Sequence, residues 1–235
     1  MVLTEEETEE ALRAAREQKH YLLRKISYLQ ALNEPIEPKK YTAEQIKDFL
    51  SKVITIDSFN ESIVWLMCLY FSGDERFEME GYDLRKGLCL FGGVGVGKTT
   101  LMENFFQNQR QSFVIKMCRA IEDKFSQDGD IVLKEYGIQR ACSINGDPYG
   151  HQILGYCFDD LGTEPPSKYY GKNTDVMAEV ILNRYDNRIP YDQTHITTNL
   201  STDEIINRYG SRVADRMQQM FNMIAFNSNA KSRRH

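Results

Sequence analysis

The residues Gly92-Gly93-Val94-Gly95-Val96-Gly97-Lys98-Thr99 follow the spacing G-x-x-x-x-G-K-[ST]. Glycines let backbone N–H groups converge on an anion without side-chain clashes. A lysine placed here reaches β- and γ-phosphates, and the adjacent hydroxyl ligates Mg²⁺. Thr100 extends the loop into the helix that follows. Asp159 and Asp160 end the apolar stretch ILGYCFDDLG (153–162). The first suits Mg²⁺ held through its water shell, and the second suits orienting or polarising an attacking water. Asn199 closes THITTNLS (194–201), where an amide beside a γ-phosphate would sense nucleotide state. Arg212 and Arg216 stand four apart in RYGSRVADRM (208–217) and share one helical face. Their planar, permanently charged forks suit a phosphoryl transition state. Together these types and spacings point to hydrolysis of a nucleoside triphosphate.

Such chemistry needs strands that end in the reacting residues. Leu88–Phe91 is the strand expected before the glycine loop, and a helix over about 99–108 should follow. That helix would aim its N-terminal dipole at the phosphates. The acidic pair sits at the end of a second buried strand, and Asn199 at the end of a β-branched third. Ser201-Thr-Asp-Glu204 is a capping box that opens another helix. His195 reads as a packed or hydrogen-bonded strand residue rather than a catalyst. From Gly87 onward apolar runs alternate with amphipathic stretches, which implies an α/β domain with a mostly parallel sheet. Upstream, Glu5 to about Leu32 is rich in helix formers, with Leu22, Ile26 and Leu29 on one face. NEPIEPKK (33–40) ends that helix as a linker. Thr42-Ala-Glu-Gln45 is a capping box for a helix with Ile46, Phe49, Leu50 and Val53 on its apolar face. The run Ile63–Phe71 suits a buried helix, and a strand fits it as well. The expected division is a helical N-terminal region, 1–80, and a nucleotide-binding domain, 81–235.

Composition narrows the function classes. Of 235 residues, 41% are hydrophobic and 27% charged, as in a globular protein with a core. The longest apolar run, Ile63–Phe71, falls well short of the roughly 20 residues that span a bilayer. The acidic start MVLTEEETEE is unlike a leader peptide, so a cytoplasmic protein without a membrane role is expected. Five cysteines without CxxC spacing suggest buried, reduced thiols, and the four scattered histidines suggest no zinc site. A net charge of −5 argues against wholesale nucleic-acid binding. The charge is uneven, however. Residues 1–81 hold 10 Lys and Arg against 16 Asp and Glu, whereas 206–235 hold six basic residues against Asp215. In TEPPSKYYGKN (163–173), Lys168, Tyr169, Tyr170 and Lys172 interleave charge and aromatic rings. This stretch reads as a loop before a helix near Asn173, able to stack bases and meet phosphates of single-stranded DNA.

The phosphate loop, DDLG, TTNLS and RYGSRVADRM, in this order, resemble the AAA+ ATPases of the DnaC/DnaI/IstB group, over about residues 80–235. That group comprises replicative-helicase loaders and the ATPase subunits of some transposons. The resemblance implies an AAA+ P-loop core, a central parallel sheet flanked by helices, with little or no lid. It implies ATP and Mg²⁺ as ligands. Lys98 and Thr99 then match Walker A, with Gly92 to Thr100 lining the nucleotide, and Asp159 and Asp160 match Walker B. Thr99 and Asp159 take the metal, and Asn199 matches sensor 1. Arg212 and Arg216 match the box VII arginines, Arg216 being favoured as a finger reaching a neighbouring subunit. Arg233 is the nearest match to a sensor 2 arginine, although the aromatic that usually precedes it is missing. The partners implied are a replicative hexameric DNA helicase, docked by the N-terminal region, and single-stranded DNA. For part of that region, a helical cap on the chain's own core is the alternative. The family also leaves open a transposition helper that binds duplex DNA and a transposase, and an adaptor with negligible hydrolysis. The acidic residues 1–81 favour the loader. Asp160, one methylene shorter than the glutamate many ATPases carry there, implies slow turnover.

Overall fold

The computed structural model describes Lys19 and residues 40–143, 146–165, 167–169, 172–227, 230, 232 and 233. The chain divides into two units, Met1–Glu37 and Pro38–His235. The helix expected over 5–32, with Leu22, Ile26 and Leu29, lies outside the described residues apart from Lys19, which is helical.

The second unit begins with helices α1 (Ala43–Ser51), α2 (Glu61–Ser72) and the short α3 (Arg76–Met79). There follow β1 (Gly87–Phe91), α4 (Lys98–Phe105), β2 (Phe113–Met117), α5 (Cys118–Asp128), α6 (Asp130–Gly137) and β3 (Ala141–Cys142). Next come β4 (Ile153–Leu161), β5 (Ser167–Tyr169), β6 (Lys172–Thr174) and α7 (Val176–Asp186). A 3₁₀ turn (Tyr191–Gln193) leads into β7 (Thr194–Thr198), α8 (Thr202–Tyr209), α9 (Ser211–Met220) and β8 (Phe221–Ala225). Both expected capping boxes form, at Thr42 and Ser201, so each helix starts where its side chains satisfy the free N–H groups. Among the described residues no helix follows β8.

The main sheet runs β2-β4-β7-β1-β8, parallel throughout, and β3 adds antiparallel to the start of β4. Strand alternation assigns its two faces. Cys89, Tyr156, Phe158 and Ile196 join the core beneath α5, α7 and α9, while Leu88, Leu90 and Cys157 join the core beneath α1, α2 and α4. Both faces are covered, as a parallel sheet requires, and this is an α/β fold.

One boundary differs from the expectation. The division lies at 37/38, inside the proline-bearing linker, and not near residue 80. The Ile63–Phe71 run is helical, and its residues Met67, Leu69 and Phe71 pack with Leu88, Leu90 and Phe105. A helix that is apolar nearly all round must be enclosed, and this one closes a face of the α/β domain. Residues 43–72 are therefore part of that domain.

The second correction concerns residues 163–173. β5 and β6 pair antiparallel, with Lys168 opposite Asn173 and Tyr169 opposite Lys172, and the helix starts at Val176 under an Asp175 cap. Tyr170 and Gly171, and the side chains of Lys168, Tyr169 and Lys172, lie outside the described residues.

Candidate nucleotide site

Ligands of parallel α/β sheets bind beyond the carboxyl ends of the strands. β1, β4 and β7 are neighbours in the sheet, and their ends deliver the glycine loop, the acidic pair and Asn199 to one place. The cleft there has a volume of about 560 Å³, lined in part by Gly95–Thr100, Asp160, Asn199 and Arg233.

Each reacting side chain has a structural reason for its position. Gly95 (φ 80°) and Gly97 (φ 103°) take left-handed backbone that other residues adopt only with strain. The turn they permit starts α4 at Lys98, whose side chain is buried. The Lys98 ammonium donates to Gly92 O at 2.8 Å, Gly93 O at 2.9 Å and Asn199 Oδ1 at 2.6 Å. The Thr99 hydroxyl donates to the Asp159 carboxylate, 2.9 Å from Oδ1 and 3.1 Å from Oδ2. Asp160 sits at φ 56°, rare for a residue with a side chain, where the pairing of β4 with β7 shifts register between Phe158 and Leu161. Bulges of this kind re-aim a side chain, and this one leaves Asp160 on the cleft wall.

Thr99 and Asp159 are hard oxygen donors side by side, a set that fits a small divalent cation completing its shell with phosphate and water. They are the residues that would hold Mg²⁺.

Arg233 also reaches the cleft. Its backbone N–H donates to Gly95 O at 2.8 Å, and its guanidinium to Thr55 O at 3.2 Å and Asp57 Oδ2 at 2.7 Å. The far wall comes from residues absent from the expected site, Ile54, Thr55 and Asn60. Asn60 organises them: it accepts from Asp57 N–H at 2.8 Å and donates to Thr55 O at 3.0 Å. The cluster DSFN (57–60) is rich in turn formers, the available signal in the sequence, but nothing in it points to a nucleotide.

Arg212 and Arg216 share a face of α9 as expected, and neither lines the cleft. Arg212 is exposed and faces Asp186 at 3.6 Å. Arg216 lies 4.3 Å over the Tyr185 ring and pairs with Asp215 at 2.9 Å. His195 is fully buried, accepts Leu88 N–H at 3.1 Å and packs against Phe113, so it is a strand residue in the core. Cys68, Cys89, Cys118 and Cys157 are buried free thiols, and Cys142 is exposed. No described helix is long and apolar enough to cross a membrane.

No protein-family model matches the chain, and no curated protein matches it in sequence. Similar solved structures are a DnaC helicase loader (18% identity, TM-score 0.46, 76% of this chain and 96% of that one) and a DNA replication initiation factor (11%, 0.47, 80% and 50%). A third is AMPPCP-bound DnaA from Aquifex aeolicus (12%, 0.46, 84% and 53%). The chain thus spans about half the length of the last two.

Proposed function

We propose that the protein is an AAA+ ATPase that loads a replicative DNA helicase onto single-stranded DNA. One observation carries the ATPase part. Lys98, Thr99, Asp160 and Asn199 line one cleft, and the buried Asp159 accepts from Thr99 at its edge. The glycine loop and the N-terminus of α4 take the β- and γ-phosphates, and Lys98 turns from its carbonyl and Asn199 partners toward them. That turn frees the Asn199 amide to read the γ-phosphate. Mg²⁺, when bound at Thr99 and Asp159, neutralises charge on the phosphate oxygens. Asp160 orients the attacking water. Arg216, with Arg212 beside it, serves the nucleotide of a neighbouring copy, where an arginine finger is worth about 10³–10⁵ in rate. Arg233 follows occupancy from the cleft edge.

The loader part rests on the order of motifs and on charge. The acidic N-terminal stretch suits a helicase surface better than duplex DNA, and the sequence from Lys168 to Lys172 carries the lysines and tyrosines that single strands would need. The test is to mix the protein with the replicative hexameric helicase of the same source and weigh the complex by light scattering, with ATP, ADP or no nucleotide. The expected result is a stoichiometric complex that is lost when residues 1–37 are removed. No complex in any state overturns the loader reading in favour of a transposition helper.

A further inference from the structure

A single hydroxyl on β7 contacts both acidic residues of the site. Thr197 Oγ1 lies 2.6 Å from Asp159 Oδ1, and the backbone N–H of Asp160 donates to the same oxygen at 2.9 Å. The direction of both bonds is forced. An ionised carboxylate accepts only, so the one hydroxyl proton goes to Asp159, and a lone pair of the hydroxyl takes the Asp160 amide.

The register of the sheet explains why a side chain does this. Phe158 pairs with Ile196 and Leu161 pairs with Thr198, so Asp159 and Asp160 together stand opposite Thr197 alone. That is a bulge, and it breaks the backbone ladder where Asp160 turns into its left-handed conformation. The amide freed by the bulge finds the Thr197 side chain in place of a carbonyl. Thr197 is fully buried and does not line the cleft, so it touches neither nucleotide nor water there. Its branched Cβ restricts χ1, which holds the hydroxyl between its two partners.

We propose that Thr197 is the positioning residue of the acidic pair. Through one hydroxyl it fixes the rotamer of Asp159 for the cation and stabilises the backbone turn that presents Asp160 to the attacking water. The role rests on the ATPase reading above. Thr99, in the first turn of α4, bonds to the same carboxylate, so one hydroxyl from β7 and one from α4 hold Asp159.

The test compares Thr197→Val, which keeps shape and strand preference but removes the hydroxyl, with Thr197→Ser, which keeps it. Turnover is measured as Mg²⁺ is varied, and ATP affinity without Mg²⁺ is measured by titration. Thr197→Val is expected to lose activity or Mg²⁺ affinity by about 10–100-fold, the range for groups that orient a metal's ligands. Its metal-free ATP affinity stays unchanged, and Thr197→Ser retains most activity. Thr197→Ala makes the same prediction and replaces the valine variant if that does not fold. Wild-type turnover and Mg²⁺ dependence in the variant without a hydroxyl overturn the proposal, as does a serine variant equally impaired. If the wild type hydrolyses nothing, the ATPase reading falls by itself. The Mg²⁺ dependence of ATP affinity then decides: its loss in Thr197→Val supports the role, and its persistence contradicts it.

Discussion

The ammonium of Lys98 donates to the side-chain oxygen of Asn199 at 2.6 Å, joining the first residue of α4 to the residue that follows β7. An incoming phosphate therefore competes with Asn199 for the lysine. Replacing Asn199 by alanine removes a competitor and a sensor together. The expected outcome is ATP affinity equal to or slightly above wild type, with kcat lower by about 10²-fold, the size seen when one polar group facing a transition state is lost. Asn199→Asp should instead weaken ATP binding, because a carboxylate holds Lys98 more tightly than an amide does. Nucleotide titration and single-turnover rates separate the two effects.

Arg216 should act on a neighbour's nucleotide. Arg216→Ala is expected to bind ATP normally and to lose about 10³-fold in kcat at concentrations where the protein self-associates. Arg212→Ala should lose much less. Mixing Arg216→Ala with Lys98→Ala subunits should restore hydrolysis, since each supplies what the other lacks. Without recovery in the mixture, an arginine acting across subunits is ruled out.

Two buried groups, His195 and Glu122, contribute opposite slopes to the pH dependence of stability. Burial, helped by the charges of Arg110 and Arg184, pushes His195 down to about 3 from 6.5. The folded chain keeps it neutral while the unfolded chain protonates it, so its share of stability is lost as pH falls below 6.5. Glu122 is buried with neither carboxylate oxygen hydrogen-bonded. Burial raises it to about 7 from 4.5, with Asp175, Glu164 and Asp123 adding to the effect and Arg208 opposing it. Its share is present below 4.5 and is lost as pH rises toward 7. Between these values the two slopes, each roughly 1.4 kcal/mol per pH unit at most, oppose one another. Urea unfolding isolates the Glu122 share when Glu122→Gln is set against the wild type, because Asp175 and Asp192, also raised by burial, are common to both. The variant should match the wild type at pH 4.5, climb with pH, and be the more stable protein at pH 8. A parallel profile for the two proteins would remove Glu122 from the account.

The phosphate loop, the acidic pair and the β-branched strand before Asn199 were legible because each is contiguous. Residue type and spacing within eight to ten positions carry the whole signal, and sheet order then brings the pieces together. What could not be read depends on distant partners. The Ile63–Phe71 run declares that it is buried but not against what, and its partner is the β1 face of the sheet. Ile54, Thr55 and Asn60 reach the cleft only because α1 and α2 pack there. The pairing of β5 with β6 was hidden by the charges and rings around it, which suggested a loop. The dual bonding of Thr197 is invisible without the bulge, because in an unbroken strand the Asp160 amide would pair with a backbone carbonyl.

The central claim is that the cleft binds and cleaves ATP with Mg²⁺. The most direct measurement is calorimetric titration of ATP into the wild type and Lys98→Ala, with and without Mg²⁺, followed by phosphate release from the same samples. The expected result is one site per chain, tighter binding with Mg²⁺, slow release of phosphate, and loss of both binding and release in Lys98→Ala. ATP binding that persists unchanged in Lys98→Ala, or no binding by the wild type, would contradict it.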